Sequence, residues 1–323
     1  MSNSPYIPED PGKTDWDVAV IGTGMGGAVA GYGLAKRGRR VLFIEKGLFL
    51  HEEFRPAAGA QLEESRLAEL ADGSNERAET RLAAGRWPLR LQGGTSFGEL
   101  EFFAPLGCGS GGSTALYGAA LERLFPADFQ PRANFPQVND STLPEKWPIG
   151  YEDLRPFYTQ AEELFRVRGS PDPLAQGGEA KLREPPPLSP RDQHFLDSFA
   201  SVGLHPYRLH VGYEFVDDCE ECLAQLCPRG CKNDAARICL LPALEKYGAR
   251  ILPQCEVFRL EAGTSHVKEI RCRCNGEQLS IRAKAFVLAA GAFMSPVLLL
   301  NSRSEAWPDG LANRSGLVGR NLM

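Results

Sequence analysis

The sequence predicts a mixed α/β protein built on a parallel sheet, and three observations near its start carry that expectation. Asp17-Val18-Ala19-Val20-Ile21 is an apolar run of strand type. It leads into glycines spaced G-x-G-x-x-G at Gly22, Gly24 and Gly27. A small-residue helix (Ala28, Val29, Ala30, Gly31, Leu34, Ala35) and a basic turn follow, then a second apolar strand, Val41-Leu42-Phe43-Ile44, that ends in Glu45. Together they make a βαβ unit of the Rossmann-like, dinucleotide-binding kind. Gly22 permits the tight strand-to-helix turn, Gly24 lets a pyrophosphate approach the backbone, and Gly27 lets the helix pack on the strand. The helix N-terminus offers unpaired N–H groups and the positive end of its dipole. Glu45 would accept hydrogen bonds from a ribose, and its charge disfavours a 2′-phosphate. The alternative, an ordinary βαβ turn, does not ask for an acid at the second strand end.

Bulk properties narrow the class. At 323 residues the chain is long enough for two domains, and 43% apolar with 24% charged residues is ordinary globular composition. A net charge of −5 gives no reason to expect nucleic acid or an acidic membrane as partner. No apolar run reaches the roughly 20 residues that a membrane helix needs. Met1 to Trp16 is polar and Pro-rich without a signal-peptide core, so a cytoplasmic location is expected.

Further elements follow in order. Residues 1–15 read as a loose arm. Gly47 to Arg86 reads as a polar, helix-prone insertion, and a hairpin is expected between Leu89 and Pro105. Gly107 to Gly118 is a second glycine-rich stretch containing Gly111-Gly112-Ser113-Thr114; its alternative reading is a surface loop. Tyr151 to Val167 reads as an amphipathic helix with Leu154, Phe157, Tyr158, Ala161, Leu164 and Phe165 on one face. Ser189 and Pro190 read as N-cap and first residue of a helix ended by Gly203, with Phe195, Leu196 and Phe199 as its apolar face. Arg250 to Leu260 reads as one strand. Val267 to Cys274 and Gln278 to Ala289 read as two strands joined at Asn275-Gly276. The last runs into Ala290-Gly291 and a helix, a second strand–glycine–helix junction. The domain limits expected are 16–150 for the dinucleotide domain, 151–235 for part of a second domain, and 236–323 for a return to the first.

The sequence has nine cysteines, an odd number that cannot all pair internally. Cys219, Cys222, Cys227 and Cys231 are bunched as C-x2-C-x4-C-x3-C. Three readings stay open for them: an iron–sulfur cluster or zinc, two disulfides, or structural cysteines without metal. The absence of a signal peptide weighs against disulfides.

The order of these motifs resembles the glucose–methanol–choline (GMC) flavoprotein oxidoreductases. The resemblance rests on Gly22/Gly24/Gly27 with Glu45, on Gly111-Gly112-Ser113-Thr114, and on Trp147-Pro148-Ile149-Gly150-Tyr151-Glu152-Asp153-Leu154. It rests also on the Cys-rich segment running into Leu241-Pro242-Ala243, on Val287 to Leu300, and on Gly316 to Met323. It implies a Rossmann-like FAD-binding domain with an attached α+β substrate domain, incomplete at the C-terminus. It implies FAD: Gly22, Gly24 and Gly27 at the pyrophosphate, Glu45 at the ribose and Val257 at the adenine edge. Ala290 and Gly291 would lie near the adenosine end, and Gly111, Gly112, Ser113 and Thr114 beside the pyrophosphate and flavin ring. Tyr117 departs from the family, many members of which carry Asn a few residues after Gly-Gly-Ser.

The resemblance places the catalytic histidine and its His or Asn partner beyond residue 323, so no catalytic residue is expected in this chain. His51, His194, His205, His210 and His266 read as surface or structural. The activity implied is hydride transfer from a small-molecule alcohol to flavin, with an electron-acceptor partner or a complementing C-terminal chain. Some GMC dehydrogenases carry an iron–sulfur cluster near the cysteine run. The rival readings are a non-catalytic dinucleotide-binding subunit and a nicotinamide-dependent dehydrogenase; the second glycine loop and the Ala290-Gly291 junction count against the latter.

Overall fold

The computed structural model describes residues 4–49, 75–95, 98–138, 140, 143–178, 180–217, 219 and 221–320. Most of the expected polar insertion, with His51, lies outside them, as do residues 321–323. The chain forms two compact units. The first comprises residues 1–117, 222–230 and 234–323, and the second residues 118–221 and 231–233. The division falls at Tyr117–Gly118, ahead of the limit drawn at residue 150 from sequence.

The first unit is organised by a four-stranded parallel sheet. Its strands are β1 (Trp16–Ile21), β2 (Val41–Ile44), β5 (Arg250–Leu252) and β9 (Ala283–Leu288), in the order β5-β2-β1-β9. Val18 pairs with Val41 on one side and Ala285 on the other. Both faces are covered, which is why β2 and the Val18–Ile21 part of β1 are continuously apolar rather than alternating. Helix α1 (Met25–Lys36) packs on one face, so closely that a methyl on Gly31 would lie 2.2 Å from the Phe43 ring. On the other face Ala19, Ile21, Leu42 and Ile44 share a core with Leu260, Ile270, Cys272 and Ile281. These last come from a three-stranded antiparallel sheet of β6 (Cys255–Ala262), β7 (Val267–Cys274) and β8 (Glu277–Ile281).

Two strands expected as single pieces are each two. Arg250 to Leu260 breaks at Pro253-Gln254, where proline has no N–H to give a ladder and Gln254 takes φ +49°. Gln278 to Ala289 breaks at Arg282, and the chain changes sheets there: β8 pairs with β7, and β9 pairs with β1. The Asn275-Gly276 hairpin is present, with both residues at positive φ (50° and 87°) as the two-residue turn requires. The same unit holds helix α2 (Asn75–Ala83), the hairpin β3 (Leu91–Thr95) and β4 (Gly98–Phe102), helix α5 (Leu241–Tyr247) and helix α6 (Gly291–Asn301).

The second unit holds helices α3 (Tyr151–Phe165) and α4 (Pro190–Ser201) with isolated β-bridges such as Ala120 to Val211. The apolar faces read from sequence are only half right. In α3, Phe157 is 61% exposed, while Glu162 is buried. Glu162 tolerates burial because Arg123 meets both its oxygens, at 2.5 and 2.7 Å, and the Lys181 amide donates to it at 2.7 Å. In α4 the Ser189 cap forms, but Phe195 and Phe199 are 52% and 49% exposed. None of the helices described is long and apolar enough to cross a membrane.

Candidate functional site

A cavity of about 420 Å³ opens in the first unit where β1, β2 and β9 end. The carboxyl ends of parallel strands are where open α/β sheets place their ligands. Its wall includes Gly22, Gly24, Glu45, Gly112, Ser113, Thr114, Val257, Ala290 and Gly291, so residues scattered along the sequence converge on one space.

The β1–α1 turn has the geometry expected of it. Gly22 takes φ +96°, and a methyl on Gly27 would sit 2.0 Å from the Gly22 carbonyl oxygen. Only glycine at residue 27 lets α1 start this close to the turn. Gly24 stands at the N-cap of α1, no side chain caps that end, and no acid occupies its first turn. A methyl on Gly24 would meet only Gly112 Cα, at 3.9 Å. The α1 N-terminus therefore presents open backbone and a positive dipole end to the cavity. Helix α6 starts on the same wall, with Ala290 at its N-cap and again no side-chain cap.

Glu45 is buried and fully engaged within the protein. One carboxylate oxygen accepts from Thr23 N (3.1 Å) and Thr23 Oγ1 (2.6 Å), the other from Gly47 N (2.9 Å) and Gly109 N (3.2 Å). Burial pushes its carboxyl above the ordinary value, opposed by these donors. The residue expected to meet a ribose thus also ties three segments together. Ser113 and Thr114 are likewise occupied. Ser113 Oγ accepts from Gly107 N at 3.0 Å, while Thr114 Oγ1 donates to Gly111 O at 2.7 Å and accepts from Ala235 N at 3.0 Å. Their hydroxyls set the loop, and Gly112, which has no side chain, lines the cavity by its backbone.

The family model described as GMC oxidoreductase matches residues 91–323, most of the chain. The chain belongs to the GMC oxidoreductase family. A second model, an NAD(P)-binding Rossmann-like domain, matches residues 20–50. A 6'''-hydroxyparomomycin C oxidase from Streptomyces lividus is 32% identical over 97% of this GMC chain and 55% of its own. A paromamine 6'-oxidase from Streptomyces fradiae is 28% identical over 95% and 53%. The chain spans about half the length of the curated relatives it matches. A solved pyridoxine 4-oxidase from Mesorbium loti covers 89% of the chain and 52% of its own at TM-score 0.53 and 24% identity, a likeness that shows the fold.

Sequence reasoning missed several residues of this GMC cavity. Lys46 pairs with Glu256 at 2.7 Å and lies over the Trp87 ring at 4.1 Å, and all three line the wall. Cys108 lines it too, its thiol pushed up to about 12 by burial and by the nearby Glu45. Nothing in the local sequence marks Trp87; Lys46 is marked only by following Glu45, and Cys108 only by lying in the Gly107–Gly118 stretch.

No histidine is among the described residues of the wall. His194, His205 and His266 are exposed. His210 is buried in the second unit, its ring nitrogens each 2.9 Å from the Glu122 carboxylate and the Ser170 carbonyl oxygen. Of the four bunched cysteines, Cys219 and Cys231 belong to the second unit, with sulfurs 3.3 Å apart; Cys222 and Cys227 belong to the first. Among the described residues, the three cysteines whose sulfurs gather are others, Cys255, Cys272 and Cys274. Cys255 and Cys274 form a disulfide.

Proposed function

We propose that this chain forms the FAD-binding part of an oxidoreductase that takes hydride from the CH–OH carbon of a small-molecule alcohol. The observation that carries the reading is the uncapped α1 N-terminus, bare at Gly24, on the wall of the cavity. The residues suit a dinucleotide. The α1 start at Gly24 would hold the pyrophosphate through backbone N–H groups, Gly22 (whose own N–H donates to Ile44 O at 2.8 Å) and Gly27 would shape the turn that presents it, and the Gly111-Gly112 backbone would lie beside it. Val257 sits on β6, the edge strand of its sheet, where backbone groups are available to an adenine edge. Glu45 would exchange one internal donor for a ribose hydroxyl, and the α6 start at Ala290-Gly291 would close the adenosine end. Bound FAD would supply the hydride acceptor.

The chain's own groups bind and orient, and its apolar wall excludes water. With no histidine among the described residues of that wall, the base that takes the alcohol proton is assigned to protein outside them. Relatives named as oxidases, and a 2-methyl-1,2-propanediol dehydrogenase from Mycolicibacterium austroafricanum, support an alcohol as the substrate class. The lack of histidine among the described wall residues equally favours a second reading, a dinucleotide-binding subunit that needs a second chain for turnover. Alcohol oxidation by the purified chain alone would exclude it.

Flavin binding is tested by titration. FAD fluorescence should quench on adding the chain, and NAD should not compete. Gly24→Ala should fold normally, its methyl meeting only Gly112 Cα at 3.9 Å, but should weaken that binding by standing between the backbone and the pyrophosphate. Gly24→Asp should weaken it further, by at least about tenfold, about 1.4 kcal/mol, because a carboxylate then occupies the phosphate end of α1. Equal affinity for both variants would refute the assignment.

An iron–sulfur cluster or zinc on Cys219, Cys222, Cys227 and Cys231 is supported by their spacing and by the approach of Cys219 to Cys231. Such a cluster would pass electrons to a partner. Metal analysis of protein purified without oxygen decides it: metal in stoichiometric amount supports the reading, and its absence removes it. A cytoplasmic location is supported by the polar N-terminal arm, and there a disulfide is most often a redox element.

A further inference from the structure

We propose that Cys255, Cys272 and Cys274 form a thiol–disulfide exchange centre in the wall of the dinucleotide cavity. Cys255 lines that cavity and pairs across the ladder with Cys274 on β7. Cys272 is two residues back on β7, so strand periodicity puts it on the same face as Cys274. The three sulfurs all lie within 4.8 Å of one another. The Cys272 thiol is not idle: it donates to Leu279 O at 3.4 Å, which holds it beside the disulfide.

The exchange needs no outside reagent. The Cys272 thiolate attacks Cys255 Sγ, the Cys255–Cys274 bond breaks as Cys255–Cys272 forms, and Cys274 leaves as a thiolate. Cys274 takes up the proton that Cys272 gave, so two electrons stay in one disulfide throughout. Re-pairing moves Cys255 from opposite Cys274 toward Cys272. The regular β6–β7 pairing that the step would disturb is short, because the ladder is interrupted by a register shift between Val257 and Arg259. The step would carry Glu256 and Val257 along the cavity wall. It would also pull on Glu45, whose carbonyl oxygen accepts from Cys255 N at 2.9 Å. The exchange itself is independent of the flavin reading; its effect on cofactor binding rests on it.

Peptide mapping under non-reducing conditions tests this on the full chain. Trypsin cuts at Arg273, between Cys272 and Cys274, so the two linkages give different peptides. After incubation and quenching with N-ethylmaleimide, both Cys255–Cys274 and Cys255–Cys272 should be found, in a ratio that becomes constant. Approach to that ratio should quicken about tenfold per pH unit between pH 7 and 9, because burial holds the Cys272 thiol up at about 11. Cys272→Ser should leave Cys255–Cys274 alone. Wild-type protein that shows only Cys255–Cys274 at pH 9, or linkages spread to Cys108 and Cys239, overturns the proposal even if the variant does not fold. Saturating FAD should slow the exchange; an unchanged rate with FAD bound overturns the coupling to the cavity.

Discussion

Glu45 shows how one side chain serves two ends. An ionised carboxylate has about four acceptor positions, and Thr23, Gly47 and Gly109 supply four donors. The acid at the end of β2 was legible in the sequence; its partners were not, because Gly109 joins it only through the fold and a backbone N–H carries no sequence signature. Replacing one oxygen by an amide NH2 turns an acceptor toward N–H donors. Glu45→Gln should therefore cost about 1–3 kcal/mol in urea unfolding at pH 8. The pH dependence adds a second check. The folded carboxyl is raised by burial, so the folded chain holds this proton more tightly than the unfolded one. Stability from this group is present below the ordinary value of 4.5 and is lost as pH rises through the folded value. Unfolding curves from pH 4.5 upward should show that decline in wild type and a flatter profile in Glu45→Gln. A parallel decline in both would assign it to other groups.

At the scale of elements, α1 gives the sharpest contrast between neighbouring residues. A methyl on Gly26 meets nothing within 4 Å, whereas one on Gly27 meets the Gly22 carbonyl at 2.0 Å. Gly26→Ala should be neutral or raise stability by up to about 1 kcal/mol through reduced chain entropy. Gly27→Ala should lower it by about 1–3 kcal/mol and weaken flavin binding, since α1 must shift from the turn. Thermal melts of the two variants, with wild type between them, check this; similar melting would remove the argument. The βαβ unit was readable because both faces of β1 and β2 are covered and the pattern is unbroken. The breaks at Pro253 and Arg282 were not, because an apolar run reads the same whether it stays in one sheet or crosses to another. The faces of α3 and α4 misled for a related reason: helical periodicity tells which residues share a side, not whether anything lies against it.

Across the whole molecule, the chain passes repeatedly between its two units, so neither is one continuous piece of sequence. The second unit depends on a buried ion pair that composition could not disclose. Arg123 is held well above its ordinary value, first by its hydrogen bonds to Glu162. Glu162→Ala leaves that guanidinium buried without its carboxylate and the Lys181 amide without its acceptor, and should cost about 3–5 kcal/mol. Circular dichroism in urea would register the loss. A cost below about 1 kcal/mol would mean that water reaches the pair.

The strand order of the parallel sheet has a consequence for how the chain is made. β1 and β2 leave the ribosome early, but their outer neighbours β5 and β9 come from the far end of the sequence. Until those strands are synthesised, a buried-type apolar ribbon waits with both edges open, and the long loop that closes it adds to the barrier. The pairing of β9 beside β1 is what brings Ala290-Gly291 to the cavity that Gly24 also lines, so that cavity cannot form before residue 288 is made.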